Sequence, residues 1–212
     1  MKKYKTIIWD FNGTIIDDVN AALGAVNDML TKRCQKPIDL QRYRDAIDIP
    51  IWNFYLTVFD PGTITREEAI VEFDLGVDKH LQKNPLMPYA DKALSYFNTL
   101  GKRQIIVSSS HIDKVRKQLA TLGVENYFTQ VLALSDYYAG DKTHLACEYM
   151  KAHGLLPSET LVIGDCVADF RMANELGCDC ILNTMGHQSA EALFKTGAVV
   201  IDSLSELINI VK

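Results

Sequence analysis

The chain has 212 residues, 48% of them hydrophobic and 23% charged, with a formal net charge of −5. Such a length fits one large domain, or a core carrying a smaller insert, and the composition is that of an ordinary globular protein. The negative balance and scattered basic residues exclude a phosphate-tracking surface, so neither nucleic acid nor an anionic membrane is expected as a partner, and no stretch nears the roughly 20 apolar residues of a membrane span.

The N-terminus, Met1-Lys2-Lys3-Tyr4, carries positive charge but no apolar leader core, which predicts a cytoplasmic protein. Residues 5–9 read as a first strand, an apolar run that stops at Asp10-Phe11-Asn12-Gly13-Thr14. Asp17-Asp18 can cap a helix in which Val19, Leu23, Val26 and Leu30 recur at helical spacing. Pro37 ends it, and further helices are predicted over Leu40–Ile47, after Pro50, and from the capping-box spacing Thr65-x-x-Glu68 to about Leu81. Pro85 and Pro88 mark a linker, so residues 15–86 read as purely helical.

Beyond the linker the rhythm changes. Tyr89–Leu100, Ile112–Leu122, Thr143–His153, Ala168–Leu176 and Ser189–Lys195 read as helices, each followed by a glycine within two residues. Strands are predicted between them at Arg103–Val107, Val131–Leu134, Leu161–Ile163, Cys180–Leu182 and Val199–Ile201, with a last helix over Leu204–Val211. Near-continuous apolar strands alternating with helices predict parallel strands buried on both faces. The expected fold is therefore α/β: a doubly wound, Rossmann-like parallel sheet built from residues 1–14 and 87–212, with an α-helical cap inserted over 15–86. Of the five cysteines, Cys178 and Cys180 share one face of a strand; an odd count without framework spacing argues against a disulfide scaffold.

In such a sheet ligands bind at the carboxyl ends of the strands. The first strand ends in Asp10, the second in Ser108, and a later one in Gly164-Asp165, with Asp169 one helical turn on and Lys142 in the loop after the third strand. Acids, a hydroxyl and an ammonium group on one sheet edge suit phosphoryl chemistry. Asp10, Asp165 and a backbone carbonyl near Asn12 would suit Mg²⁺, which takes oxygen ligands. Ser108 and the following backbone N–H could hold phosphoryl oxygens, and Lys142 could neutralise charge on nucleophile and phosphoryl group.

These residues resemble the motifs of the haloacid dehalogenase-like (HAD) hydrolase superfamily, in the branch with a helical cap after the first motif. The DxDxT motif stands here as Asp10-Phe11-Asn12-Gly13-Thr14, the second motif as Ser108, the third as Lys142, and GDxxxD as Gly164 to Asp169. Among relatives the chain looks most similar to phosphoglycolate phosphatase-like members: Tyr89–Leu94 resembles their helix before the second strand, and Gly140-Asp141-Lys142 stands where many have Gly-Lys-Pro. The resemblance implies a Mg²⁺-dependent phosphatase acting on a small phosphorylated metabolite. Asp10 would be nucleophile and metal ligand, and Asn12 would offer its backbone carbonyl. Asp165 would be the second protein ligand, while Asp169 would act through water or orient Lys142. Ser108, Ser109 and Lys142 would bind phosphate. In the cap, Arg42, Tyr43, Arg44, Trp52 and Tyr55 are candidates for reading the rest of the substrate, the alternative being a packed aromatic core with a solvated basic face.

One position departs from the pattern. Where the resemblance calls for an aspartate that moves protons, this chain has Asn12, and a carboxamide does not titrate. Proton transfer of that kind contributes roughly 10²–10⁴-fold. Good leaving groups such as acyl or aryl phosphates, a substitute acid (His111 or His187), deamidation at Asn12-Gly13, or a non-catalytic phosphate-binding regulatory role would each accommodate the change. A dehalogenase is disfavoured by the acid pair Asp165 and Asp169, and a phosphonatase by the lack of a Schiff-base lysine motif in the cap.

Overall fold

The computed structural model describes residues 4–82, 85–135 and 141–211; Asn84, at the end of the stretch expected to be helical, and Gly140, part of the expected Lys142 motif, lie outside them. Six short apolar segments form one parallel sheet in the order β3-β2-β1-β4-β5-β6. They are β1 (Thr6–Trp9), β2 (Arg103–His111), β3 (Gln130–Leu134), β4 (Thr160–Gly164), β5 (Asp179–Asn183) and β6 (Val199–Ile201). The order reverses between the neighbours β1 and β4, which is where a doubly wound sheet opens its ligand crevice.

Alternation along each strand sends side chains to two separate cores. Ile7, Trp9, Ile106, Leu161 and Ile163 face α5 (Ala90–Thr99) and α6 (Ile112–Leu122). Ile8, Ile105, Val107 and Val162 face α7 (Thr143–Ala152) and α8 (Val167–Leu176). With both faces covered, the strands have no polar side, which is why they read as continuous apolar runs. Cys178 and Cys180 pack in the second core, where burial pushes both thiols up, Cys178 to about 11. Beyond β5, α9 (Ala190–Phe194) and α10 (Leu207–Ile210) complete the chain, the expected last helix being a 3₁₀ turn over Leu204–Glu206 followed by α10.

Strand β2 is longer than expected. It continues through the three serines to His111, with an irregular register against β3 between Ser108 and His111. Small hydroxyl side chains let the backbone stay extended there while Ser110 N donates to Ser108 Oγ at 3.1 Å.

Between β1 and β2 lie α1 (Val19–Lys32), α2 (Leu40–Ala46), α3 (Ile51–Val58) and α4 (Arg66–His80), ahead of α5. Their apolar stripes meet in a cluster of their own, centred on Val26, Leu30, Tyr43, Phe54 and Tyr55. Helices α1 and α4 approach closely because α4 has Gly76 there: a Cβ would stand 2.6 Å from that of Ala25. Thr65 and Glu68 form the expected capping box on α4, and Asp39 caps α2 through Arg42 N. The two chain crossings into this helical stretch pair with each other. Asp17 N donates to Pro85 O at 2.6 Å and Met87 N to Ile15 O at 2.9 Å, with a bridge between Ile16 and Leu86.

The expected capping role of Asp18 is corrected. It sits at the N-cap of α1, yet its side chain makes no capping bond. Its oxygens turn back toward residues 12 and 13 and His187 instead.

Candidate active site

Asp10 follows β1, its backbone N–H bonded to Ile163 O of β4 at 2.8 Å, so the carboxylate stands in the crevice between those strands. Lys142, at the N-cap of α7, directs Nζ onto Asp10 Oδ1 and to within 2.8 Å of Asp169 Oδ1. The approach to Asp169 is an ion pair without good hydrogen-bond direction, since that buried oxygen has no hydrogen-bonding partner. The other oxygen of Asp169 accepts from the backbone N–H groups of Asp165 and Cys166, both at 3.1 Å, which pins the turn from β4 into α8.

Asp165 is fully buried. Thr14 Oγ1 donates to it at 3.1 Å and His187 N at 2.6 Å. The fit leaves no room for side chains: a Cβ on Gly13 or Gly186 would collide with the Asp165 carboxylate, and one on Gly164 with that of Asp169. Asn183, ending β5, braces the same turn through Gly164 O at 3.2 Å.

The charges do not balance. Asp10, Asp165 and Asp169 are buried, and among the described residues only the Lys142 ammonium is ion-paired within this acid cluster. Burial pushes the Asp10 carboxyl well above its ordinary range; Lys142 pulls it down, and Asp169 and Asp165 push it further up. Burial also raises Asp165, against the pull of His187. Lys142 is held above its usual range because the two carboxylates outweigh its own burial. With all three acids ionised against one ammonium the cluster would carry about two negative charges, an excess that adds to burial in raising Asp10 and Asp165 and that a bound cation would offset, and the donors are oxygen-rich. The residues therefore fit a hard divalent cation such as Mg²⁺. Asp165, Cys166 and Asp169 lie close enough to share an ion. The Cys166 thiol is kept protonated by burial and by the neighbouring acids, so oxygens are the available ligands.

Asn12 is committed at both ends. Its Nδ2 donates to Asp18 Oδ2 at 2.6 Å, and its Oδ1 accepts from Ser110 Oγ at 2.7 Å. Asp18 Oδ1 takes Gly13 N at 2.9 Å and faces His187 Nε2 at 3.0 Å. Burial would lower the His187 imidazole, but the Asp18 carboxylate outweighs it, with Asp165 and Asp10 adding to the effect; the result is about 9. Asp18 is correspondingly held low despite its burial. The imidazolium then donates from both nitrogens, the second reaching Tyr43 Oη on α2 at 2.8 Å. His111 stands apart from this chain of bonds, facing Asp113 at 3.8 Å.

A cavity of about 200 Å³ opens over these groups, lined by Asp10, Asn12, Ser108, Ser109, Lys142, Asp165 and Asp169 at one end. Tyr43 and Tyr55 reach its lining from the helical stretch; Arg42, Arg44 and Trp52 do not. The Arg44 guanidinium is occupied elsewhere, donating to Gly186 O at 3.1 Å and Met185 O at 2.9 Å.

The sequence model of the haloacid dehalogenase-like hydrolases matches residues 7–183. The chain belongs to this family. Curated relatives include a phosphoglycolate phosphatase of Vibrio vulnificus (strain YJ016), 26% identical over 222 residues, covering 99% of this chain and 97% of the relative. Another is a phosphoglycolate phosphatase of Pseudomonas fluorescens (strain Pf-5), 22% identical, covering 96% and 78%. Among solved structures, a haloacid dehalogenase-like hydrolase from Streptococcus pneumoniae superposes with a TM-score of 0.84 at 18% identity, covering 99% of both chains. A haloacid dehalogenase-like protein from Agrobacterium tumefaciens gives 0.79 at 21%, covering 98% and 97%. These likenesses agree with the six-stranded α/β architecture.

For a member of this family, sequence reasoning left several site residues without a role. Thr14 was part of the first motif but unassigned, Asp18 passed for a helix cap, and Gly186 carried no signal. Asn183, a polar residue closing an apolar strand, is the one of these that strand-end logic could have found. Among the described residues, no helix is long and apolar enough to cross a membrane.

Proposed function

We propose that this hydrolase is a Mg²⁺-dependent phosphatase of small phosphorylated metabolites, using Asp10 as nucleophile. The observation that carries the reading is the set of three buried carboxylates, two of them paired to the Lys142 ammonium, at the strand ends where β1 and β4 part. The phosphatase names of the curated relatives support it.

Asp10, Asp165 and the backbone carbonyl of Asn12 would hold the ion, with Asp169 acting through water or fixing Lys142. Bound there, the ion would screen carboxylate from phosphate so that one anion can approach another. Lys142 holds the attacking carboxylate in place and offsets charge on the phosphoryl group; Ser108 and Ser109 bind phosphoryl oxygens. An Asp10 oxygen forms a bond to phosphorus while the bond to the leaving oxygen breaks, and that oxygen departs with the electron pair. Water then cleaves the aspartyl-phosphate, releasing orthophosphate and restoring Asp10. Residues 15–86 act as a cap that closes over the site and excludes bulk water, hinging at Ile15–Asp18 and at the linker that Pro85 and Pro88 mark. Tyr55 contacts the substrate beyond the phosphate.

The test is release of orthophosphate from acetyl phosphate with and without Mg²⁺, alongside calorimetric titration of Mg²⁺ itself. Release is expected to need the ion and to fall about 10³-fold or more in Asp10→Asn. Unchanged release in that variant overturns the nucleophile assignment. Phosphate binding without any turnover would instead favour a regulatory phosphate-binding protein, the reading that Asn12 motivates.

A further inference from the structure

The far end of the cavity differs chemically from the phosphate end. Its wall is apolar, built by Ile47, Ile51, Tyr55, Ile70, Phe73 and Val77 from the helical stretch. Among the described residues no arginine lines it. Among the described residues, every cationic or titratable nitrogen side chain on the lining already faces an acid. Lys142 is on Asp10 and Asp169, His187 on Asp18, and His111 faces Asp113. Lys114 is bonded to Asp74 and lies 3.6 Å from Asp78. Asp74 and Asp141 add negative charge to the same lining. A substrate with a second anionic group, as phosphoglycolate has, would bury that charge against hydrocarbon and carboxylates, where the described residues offer no cation that is not already facing an acid.

The second constraint comes from Asn12. Its amide cannot protonate a leaving group, and both its polar ends are taken by Asp18 and Ser110. A substrate suited to this site brings a leaving oxygen that departs as an anion unaided. The cavity's size admits a small ring: about 200 Å³ is small for a ligand pocket, yet a cavity of roughly 150 Å³ accepts benzene. Tyr55 and Phe73 meet edge to face at 6.4 Å in its wall, so the wall offers aromatic as well as aliphatic surface for a ring to pack against.

We infer that the substrate class is a monoaryl phosphate with an uncharged ring, the phosphate on Asp10 and Lys142 and the ring against Tyr55, Ile70 and Phe73. This rests on the phosphatase reading above and narrows it. The aryl–oxygen bond stays intact. The phosphorus–oxygen bond breaks as Asp10 attacks, and the aryloxide leaves with the electron pair, taking its proton from solvent after departure. Hydrolysis of the aspartyl-phosphate by water closes the cycle.

Four esters separate the two constraints: phenyl phosphate, 4-carboxyphenyl phosphate, benzyl phosphate and phosphoglycolate. Measured as kcat/KM with Mg²⁺, phenyl phosphate is expected to exceed its carboxylated analogue by about tenfold or more, through the wall. It is expected to exceed benzyl phosphate by about 10²-fold or more, through the missing acid. Ile70→Lys, at a partly exposed position, is expected to shift the preference toward 4-carboxyphenyl phosphate by about tenfold. Equal rates on phenyl and carboxyphenyl phosphate, or phosphoglycolate turned over as well as phenyl phosphate, overturn the inference while leaving an Asp10-dependent phosphatase standing. Binding is the separate arm: calorimetry in Mg²⁺ of phenylphosphonate against phosphonoacetate, in wild type and Asp10→Asn. Phenylphosphonate is expected to bind about tenfold more tightly. Equal or weaker binding overturns the inference even in a protein that turns over no ester, the result that would sink the phosphatase reading itself.

Discussion

At the scale of single residues, Asn12 has to be read together with Asp18. The amide donates to a buried carboxylate at 2.6 Å that also holds Gly13 N and pairs with His187. Restoring an acid at position 12 would replace that donor by a second carboxylate against Asp18, removing a charge-assisted hydrogen bond and adding like-charge repulsion. Asn12→Asp is therefore expected to lose about 1–3 kcal/mol of stability. Asp18→Asn alone also destabilises, because it strips His187 of its partner. The double variant reinstates one amide facing one carboxylate, so chemical denaturation should show the pair more stable than the sum of the singles by about 1–3 kcal/mol. Additivity within about 0.5 kcal/mol would show that the two side chains do not share this bond. The departure at residue 12 was legible in the chain; its accommodation was not, because Asp18 has the sequence context of an ordinary helix cap and its partner His187 lies 169 positions away.

Among the elements, the caps and punctuating residues were legible because their causes are local. The Thr65–Glu68 box and the αL glycines at 123 and 177 stand where the sequence places helix ends. Strand β2 runs past its predicted end, since the apolar run stops at Val107 while the extended backbone continues through the three serines to His111. Ion pairs between helices were equally out of reach, being set by packing. Arg33, just past α1, donates to Glu72 of α4 at 2.6 Å, and Lys32 joins it at 2.5 Å. The Arg33 hydrogen bond is the main reason the Glu72 carboxyl is held below its usual range. A depressed carboxyl stabilises the fold above its unfolded value, about 4.3, and the contribution is lost as pH falls through the lower folded value. Glu72→Gln should therefore cost about 1 kcal/mol at pH 7 and progressively less below about pH 4.3, in urea melts run across that range. A difference that stayed constant with pH would mean that the carboxylate's charge contributes nothing.

For the whole molecule, the alternation of strands and helices made a doubly wound sheet legible, whereas the neighbours of β1 were not, because strand order is set by crossovers rather than by any segment's own pattern. The helical stretch was visible as a run without strands. What the pattern could not carry is how separately that stretch holds together. Its cluster around Phe54 and Tyr43 is distinct from the sheet cores around Phe97 and Trp9. The bonds joining it to the sheet layer are the paired crossings, Arg44 with the carbonyls of Met185 and Gly186, and the Tyr43–His187–Asp18 chain, together with scattered contacts such as Lys114 with Asp74. Phe54 is fully buried, so Phe54→Ala should cost about 3–5 kcal/mol within the helical cluster. If that cluster is its own cooperative unit, amides of α1 to α4 will exchange faster while those of β1 and β4 keep their protection. Asp10, Asp165 and Lys142 would remain in place on the sheet edge, so acetyl phosphate would still be hydrolysed while preference among aryl phosphates, which depends on Tyr55, Ile70 and Phe73, would be lost. Phe97→Ala should do the reverse, accelerating exchange across the sheet and abolishing turnover of every ester. Should Phe54→Ala instead release sheet and helical amides together, the two clusters fold as one, and selectivity and catalysis would be lost in the same step.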